Sequence, residues 1–179
     1  MRPTKRRERS PDQQFGETEK LYKRVPREHL TIDGEIEPSL IQCSFSKEVK
    51  SAPSVVRSKY GTPRDTVHRL CAGGNDVASN LVFYLEVWAV PRGLLSGDNK
   101  VFDFYPYHDP EKDCYAHTVI ACRKASSSEG VYDQPSNAVK NAFKAKLISA
   151  LKPAEISSFP RSFLLDLNKY LSLLRGPRS

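Results

Sequence analysis

Two apolar runs decide how this chain folds: LVFYLEVWAV at residues 81–90 and YAHTVIAC at residues 115–122, with KVFDFYPYHDPEKD at residues 100–113 between them. In an extended chain alternate side chains share a face. In the first run Leu81, Phe83, Leu85, Val87 and Ala89 then make one wholly apolar face, and Val82, Tyr84, Glu86, Trp88 and Val90 make the other. A strand apolar on both sides belongs in the interior of a sheet, and Pro91 with Gly93 closes it. The second run sets Tyr115, His117, Val119 and Ala121 against Ala116, Thr118, Ile120 and Cys122, which predicts another interior strand. KVFDFY, residues 100–105, alternates as well, and Pro106, His108, Asp109 and Pro110 are expected to form an exposed loop after it.

Working outward, KLYKRV at 20–25 alternates as a short strand that Pro26 ends, and Asp33 with Gly34 marks a turn. LIQCSFS at 40–46 and SVVRSKY at 54–60 are further candidate strands. Thr62, Pro63 and Asp65 supply a capping hydroxyl, a proline at the first helical position and an acid three residues after the cap. They predict a short helix through Arg69 or Cys71, presenting Val67 and Leu70 inward, which AGGND stops.

The loop ASSSEGVYDQPSN separates this region from a helical one. Val139, Ala142, Phe143, Leu147, Ile148 and Leu151 recur at three and four until Pro153. Pro160 opens a last helix with Phe163, Leu164, Leu167, Tyr170, Leu171 and Leu174 on a wide apolar face, broad enough to serve a partner as well as the sheet. The expected fold is α+β: a mostly antiparallel sheet of about five or six strands within residues 20–122, one short inserted helix, and two C-terminal helices within 137–175. Residues 1–18 are expected to be a disordered basic arm on a single domain of residues 19–179.

Hydrophobic residues at 39% and charged residues at 27% are those of an ordinary soluble protein, and no apolar run is long enough to span a membrane. The basic opening MRPTKRRERS leads into QQFGETEK rather than an apolar segment, which is not the pattern of a secretory signal, so a cytoplasmic site of action is expected. Cys43, Cys71, Cys114 and Cys122 are too sparse for a disulfide scaffold and read as reduced residues in or near the core.

The net charge of +7 is unevenly spread. Residues 1–24 hold eight Lys or Arg against four acids, residues 25–136 twelve against fifteen, and residues 137–179 eight against two. Basic ends around a mildly acidic middle suit an anionic partner, nucleic acid or an acidic protein, met by Lys5, Arg6 and Arg7 of the arm and by Lys140, Lys144 and Lys146. Such a surface would neutralise phosphates without reading bases. Solubility alone would also account for it.

Glu86 is the conspicuous polar residue, because a carboxylate inside an apolar strand must find a partner, reach a rim or serve a site. The order Arg24 in a first strand, Ser44-Phe45-Ser46 in a later one, then a strand-borne Glu86 resembles the Arg, Ser-x-Ser, Glu sequence of ADP-ribosyltransferase-like, NAD-consuming toxin domains. That resemblance implies NAD as the cofactor consumed. It implies Arg24 at the NAD phosphates, Ser44 or Ser46 supporting the nicotinamide pocket and Glu86 polarising the ribose. This chain departs from the family at Tyr84, where another polar residue is usual, and in the short interval between Arg24 and Ser44. LYKRVP, SFS and YAH are also similar to small uncharacterised bacterial proteins that open LYRRV, a likeness that implies no activity. Outside the resemblance no cofactor is expected.

His117 reads either as a hydrogen-bonded core residue or as a catalytic one, and His108, beside Asp109 and Glu111, as a solvated loop residue or part of a site. His68-x-x-Cys71 and Cys114-x-x-His117 have spacings seen at structural zinc sites. Alternation sets Cys114 and His117 on opposite faces, so no metal is expected. No glycine-rich phosphate loop, HExxH or GxSxG occurs.

Overall fold

The computed structural model describes residues 10–38, 52–67, 80–111, 114–126 and 134–154. Among these the chain is α+β, with seven antiparallel strands in one curled sheet and two α-helices. The strands are β1 (Lys20–Val25), β2 (Ser54–Arg57), β3 (Leu81–Glu86), β4 (Leu94–Leu95), β5 (Val101–His108), β6 (His117–Lys124) and β7 (Lys152–Pro153), in the order β4-β5-β6-β2-β1-β3-β7. The count exceeds the expected five or six because β4 and β7 are two-residue edges, too short to show alternation. The predicted strand at 40–46, the end of the inserted helix and the last helix lie outside the described residues.

Register sorts the side chains onto two faces. Leu21 opposes Leu85 and Arg57, Val55 opposes Thr118, Phe104 opposes Cys122 and Pro106 opposes Ile120. These residues share a face, and helix α2 (Asn137–Ala150) covers part of it. Phe143 of α2 stacks on Phe104 with centroids 4.1 Å apart, and Val139 and Leu147 are buried beside it. Ser136 caps α2, its hydroxyl accepting from the Val139 N–H. Ala142, expected on the buried stripe, is exposed. Helix α1 (Pro63–Val67) begins as its sequence indicates: the Asp65 carboxylate accepts from the Thr62 N–H at 2.7 Å and from its hydroxyl at 2.8 Å. Gly61 precedes it because a Cβ there would lie 2.7 Å from Val56 Cγ1.

Two strand ends differ from expectation. The strand predicted over 81–90 stops at Glu86, and Val87–Ala89 form a 3-10 turn. Here the chain is held by residues preceding β1, Val87 N–H donating to Glu19 O and Trp88 N–H to Glu17 O, both at 3.0 Å. Trp88 is therefore 58% exposed instead of lying on a covered face. In contrast β5 runs on through Pro106 to His108, where a loop was expected. The N–H groups of Phe104 and His108 point away from β6, to Pro91 O and to Gln13 Oε1. Pro106 shares their parity, so its missing N–H leaves no ladder bond unmade.

Residues 10–18, assigned by sequence to the disordered arm, instead cross the helix-bearing face as an ordered strap. Arg57, with 0% exposure, holds it. Its Nε donates to Glu19 Oε1 at 2.7 Å and its Nη2 to Glu19 Oε2 at 2.9 Å and Gln14 O at 2.7 Å, while Nη1 donates to Asp12 O at 2.6 Å. Phe15 lies against the guanidinium with its centroid 4.0 Å away. The sequence could not reveal this, since the strap is held chiefly by one buried cation from β2, with Phe15 its one apolar residue packed on the core.

Cys122 is free and buried, as expected, but Cys114 is disulfide-bonded to a residue outside the described set. Apolar surroundings, which the sequence showed, are common to free and bridged cysteines; pairing depends on which backbone comes within reach. Alkylation in denaturant without reductant should modify two fewer thiols than after reduction. Replacing Arg57 by Met would strand Glu19 and two backbone carbonyls, and should cost about 3–5 kcal/mol in urea unfolding, with new proteolytic cleavage between residues 10 and 19.

Candidate functional site

The face turned away from α2 carries the strand residues singled out by sequence. Arg24 of β1 opposes Val82, Glu86 of β3 opposes Lys20, and His117 of β6 opposes Val56 of β2. All three lie on this face. Arg24 and Glu86 are nevertheless four residues apart along neighbouring strands, roughly 13 Å of extended backbone. Glu86 is half-exposed at the end of β3, where its carboxylate accepts from the Trp88 indole N–H. The rim alternative for Glu86 therefore describes it, with an indole rather than an arginine as partner. Ser44 and Ser46 lie outside the described residues, as do Lys5, Arg6 and Arg7.

Around His117 the register collects a different group. The His117 Nδ1–H donates to Asp109 O at 2.7 Å, and Nε2 faces the Ser54 hydroxyl at 3.2 Å. A Glu111 carboxylate oxygen is 3.6 Å from the same Nε2. His117 is 8% exposed, whereas Ser54, the first residue of β2, is exposed. Ser54 itself pairs with Val119 of β6, two residues along from His117. The Arg24 Nη1 is buried without a hydrogen-bond partner. Thus His117 meets Ser54, while Glu86 stands apart. Nothing in the spacing of Ser54 marks it, because its relation to His117 exists only across the β2–β6 pairing. Asp109 and Glu111 were adjacent to a flagged histidine, and it is the other histidine that they serve.

His108 is at the end of β5 with 0% exposure, a correction to the exposed loop expected for it. Its Nδ1 accepts from the Asp12 N–H at 2.8 Å and its Nε2–H donates to Tyr115 O at 2.6 Å, the pattern of a neutral ring. Tyr60 stacks on it at 5.5 Å and Tyr115 meets it edge-on at 4.9 Å. The Gln13 amide binds the His108 backbone at both its N–H and its carbonyl, as a neighbouring strand would. Asp12 closes the cluster, its carboxylate accepting from Lys59 Nζ at 2.7 Å and from the Tyr60 hydroxyl.

No family model, curated protein or solved structure matches this chain.

The second charged feature is α2 itself. Lys140 and Lys144 are one turn apart on one flank of the buried stripe, and Lys146 is exposed on the other. Lys152 follows, exposed in β7, and residues 134–154 contain no acid. None of these four lysines forms an ion pair among the described residues, whereas Arg57, Lys59 and Lys100 are paired with Glu19, Asp12 and Asp98. The zinc spacing loses a ligand in this state, because Cys114 is bridged and the His117 nitrogens face Asp109 O and Ser54; His68 and Cys71 lie outside the described residues. Among the described residues no helix is long and apolar enough to cross a membrane.

Burial, with a contribution from Arg57, holds His108 below its ordinary value against the opposing Tyr115 carbonyl bond and the Asp12 and Glu19 carboxylates. The unfolded chain therefore takes up a proton at about pH 6.5 while the folded chain resists. Stability present above that pH should decline as the solution is acidified below it. Hydrogen bonds from Lys59 and Tyr60 hold Asp12 well below the carboxylate range, so its contribution persists until stronger acid. Urea midpoints at pH 7.5 and 5.5 should differ in that sense, and His108→Gln, which cannot titrate, should lose its share of the difference.

Proposed function

We propose that this protein binds a polyanionic partner, nucleic acid before an acidic protein, through Lys140, Lys144, Lys146 and Lys152 together with Lys5, Arg6 and Arg7. The observation that carries the reading is the absence, among the described residues, of a carboxylate paired with the α2 lysines. Lys59 and Lys100 sit beside carboxylates, yet the segment 134–154 has four lysines and no acid within it. Lys140 and Lys144 repeat one helical turn apart, about 6 Å, which is close to the spacing of consecutive phosphates.

Binding of this kind proceeds by counterion release, each neutralised phosphate freeing condensed cations from the nucleic acid. It positions the protein without reading sequence. A regular array of phosphates is favoured over an acidic protein because Lys140 and Lys144 repeat along one flank of a single helix.

Affinity for duplex or single-stranded oligonucleotides of unrelated sequence should fall roughly a hundredfold between 50 and 200 mM salt for about four phosphate contacts. Lys140→Glu combined with Lys144→Glu should weaken binding and lower the salt slope by about 2. Fluorescence anisotropy reads both. A salt-independent affinity, or one untouched by the double charge reversal, rules the reading out.

A further inference from the structure

A second activity is written on the face opposite α2, and it does not depend on polyanion binding. Ser54 and His117 stand in the relation that nucleophilic catalysis requires: a hydroxyl open to solvent, an imidazole within hydrogen-bond reach, and a third group that orients the imidazole. The third group is the Asp109 carbonyl. Because it accepts from Nδ1–H at 2.7 Å, the neutral ring presents the Nε2 lone pair to the Ser54 hydroxyl at 3.2 Å. The ring is nearly buried and pinned on both edges, so it holds that orientation before any substrate arrives.

The surrounding charges fit the same chemistry. Glu111, at 3.6 Å from Nε2 and itself largely exposed, sits where a positive imidazolium would form. Arg24, on the same face of the sheet, has a buried Nη1 without a hydrogen-bond partner. The other buried histidine offers a contrast, for both nitrogens of His108 are committed to main-chain groups and neither faces a hydroxyl.

We infer that Ser54 and His117 form the nucleophile and general base of an acyl-transfer site acting on carboxylic esters. The Ser54 oxygen attacks the ester carbonyl carbon as His117 Nε2 takes the hydroxyl proton. The bond from that carbon to the alcohol oxygen breaks, and His117 returns the proton to the leaving alcohol, which leaves an ester on Ser54. Water then attacks the same carbon with His117 again taking a proton, the bond to Ser54 breaks, and the serine hydroxyl is restored. The products are one acid and one alcohol, and no redox partner is needed.

The test uses the full chain with an alkyl fluorophosphonate probe, read by intact and peptide mass spectrometry, and with p-nitrophenyl acetate for turnover. One adduct is expected, on Ser54, and it is absent from Ser54→Ala, a change at an exposed position that spares the core. His117→Gln should slow labelling by on the order of 10²-fold or more. No adduct at Ser54, or equal rates with and without His117, overturns the inference. Should His117→Gln fail to fold by thermal melting, peptide mapping of the labelled native protein decides, and an adduct at any serine other than Ser54 overturns it.

Discussion

Burying Arg57 is the constraint on which the rest of the described structure depends. A guanidinium cannot shed its charge, so removing it from water obliges the chain to supply an acceptor for each N–H. Four of the five N–H groups are met by Glu19, Asp12 and Gln14, and Nη1 also lies 3.8 Å from the Asp12 carboxylate. These acceptors come from the strap and the residue just before β1, which is how one side chain converts a polar segment into a layer of the fold. The consequences spread from there. Asp12 is delivered to His108, Lys59 and Tyr60, Gln13 completes the edge of β5, and residues 17–19 turn the chain out of β3.

What was legible in the sequence follows the same division. Strand β1 was readable to the residue because its alternation is local and Pro26 ends it, and α1 because the groups that cap it lie within four positions. The two interior strands were readable from their burial on both faces. The ends of β3 and β5 were not, because distant backbone sets them: residues 17–19 bend one strand away while Gln13 extends the other past a proline that looked like a terminator. His108 was misplaced for that reason. An aspartate and two prolines nearby signal a loop, and only the strap's cover makes the position interior.

The candidate site shows the same limit at the level of chemistry. Arg24 and His117 stood out as unusual residues in apolar strands, and both lie on the face turned away from α2. Glu86 stood out more strongly but belongs to a rim. Its expected partner in the resemblance, Ser44, was chosen by order along the chain, whereas the serine that meets His117 is Ser54, placed by a register between β2 and β6 that no spacing rule contains.

The two functional readings occupy opposite faces of the sheet, α2 and its lysines on one, Ser54 and His117 on the other. That separation has a physical consequence for how they relate. The lysine segment is rimmed by solvent and gains little from geometry, since counterion release depends on charge density alone. The Ser54 pair depends on orientation to within a few tenths of an ångström, and its support is the β2–β6 pairing and the Asp109 carbonyl. Lysine substitutions should therefore alter salt-dependent binding without disturbing the imidazole. Loss of the strap would act differently, because Asp109 directly follows the His108 that the strap secures, and its N–H bonds back to His117 O at 3.3 Å. The buried arginine on one face thus supports the histidine on the other through a single β5–β6 turn.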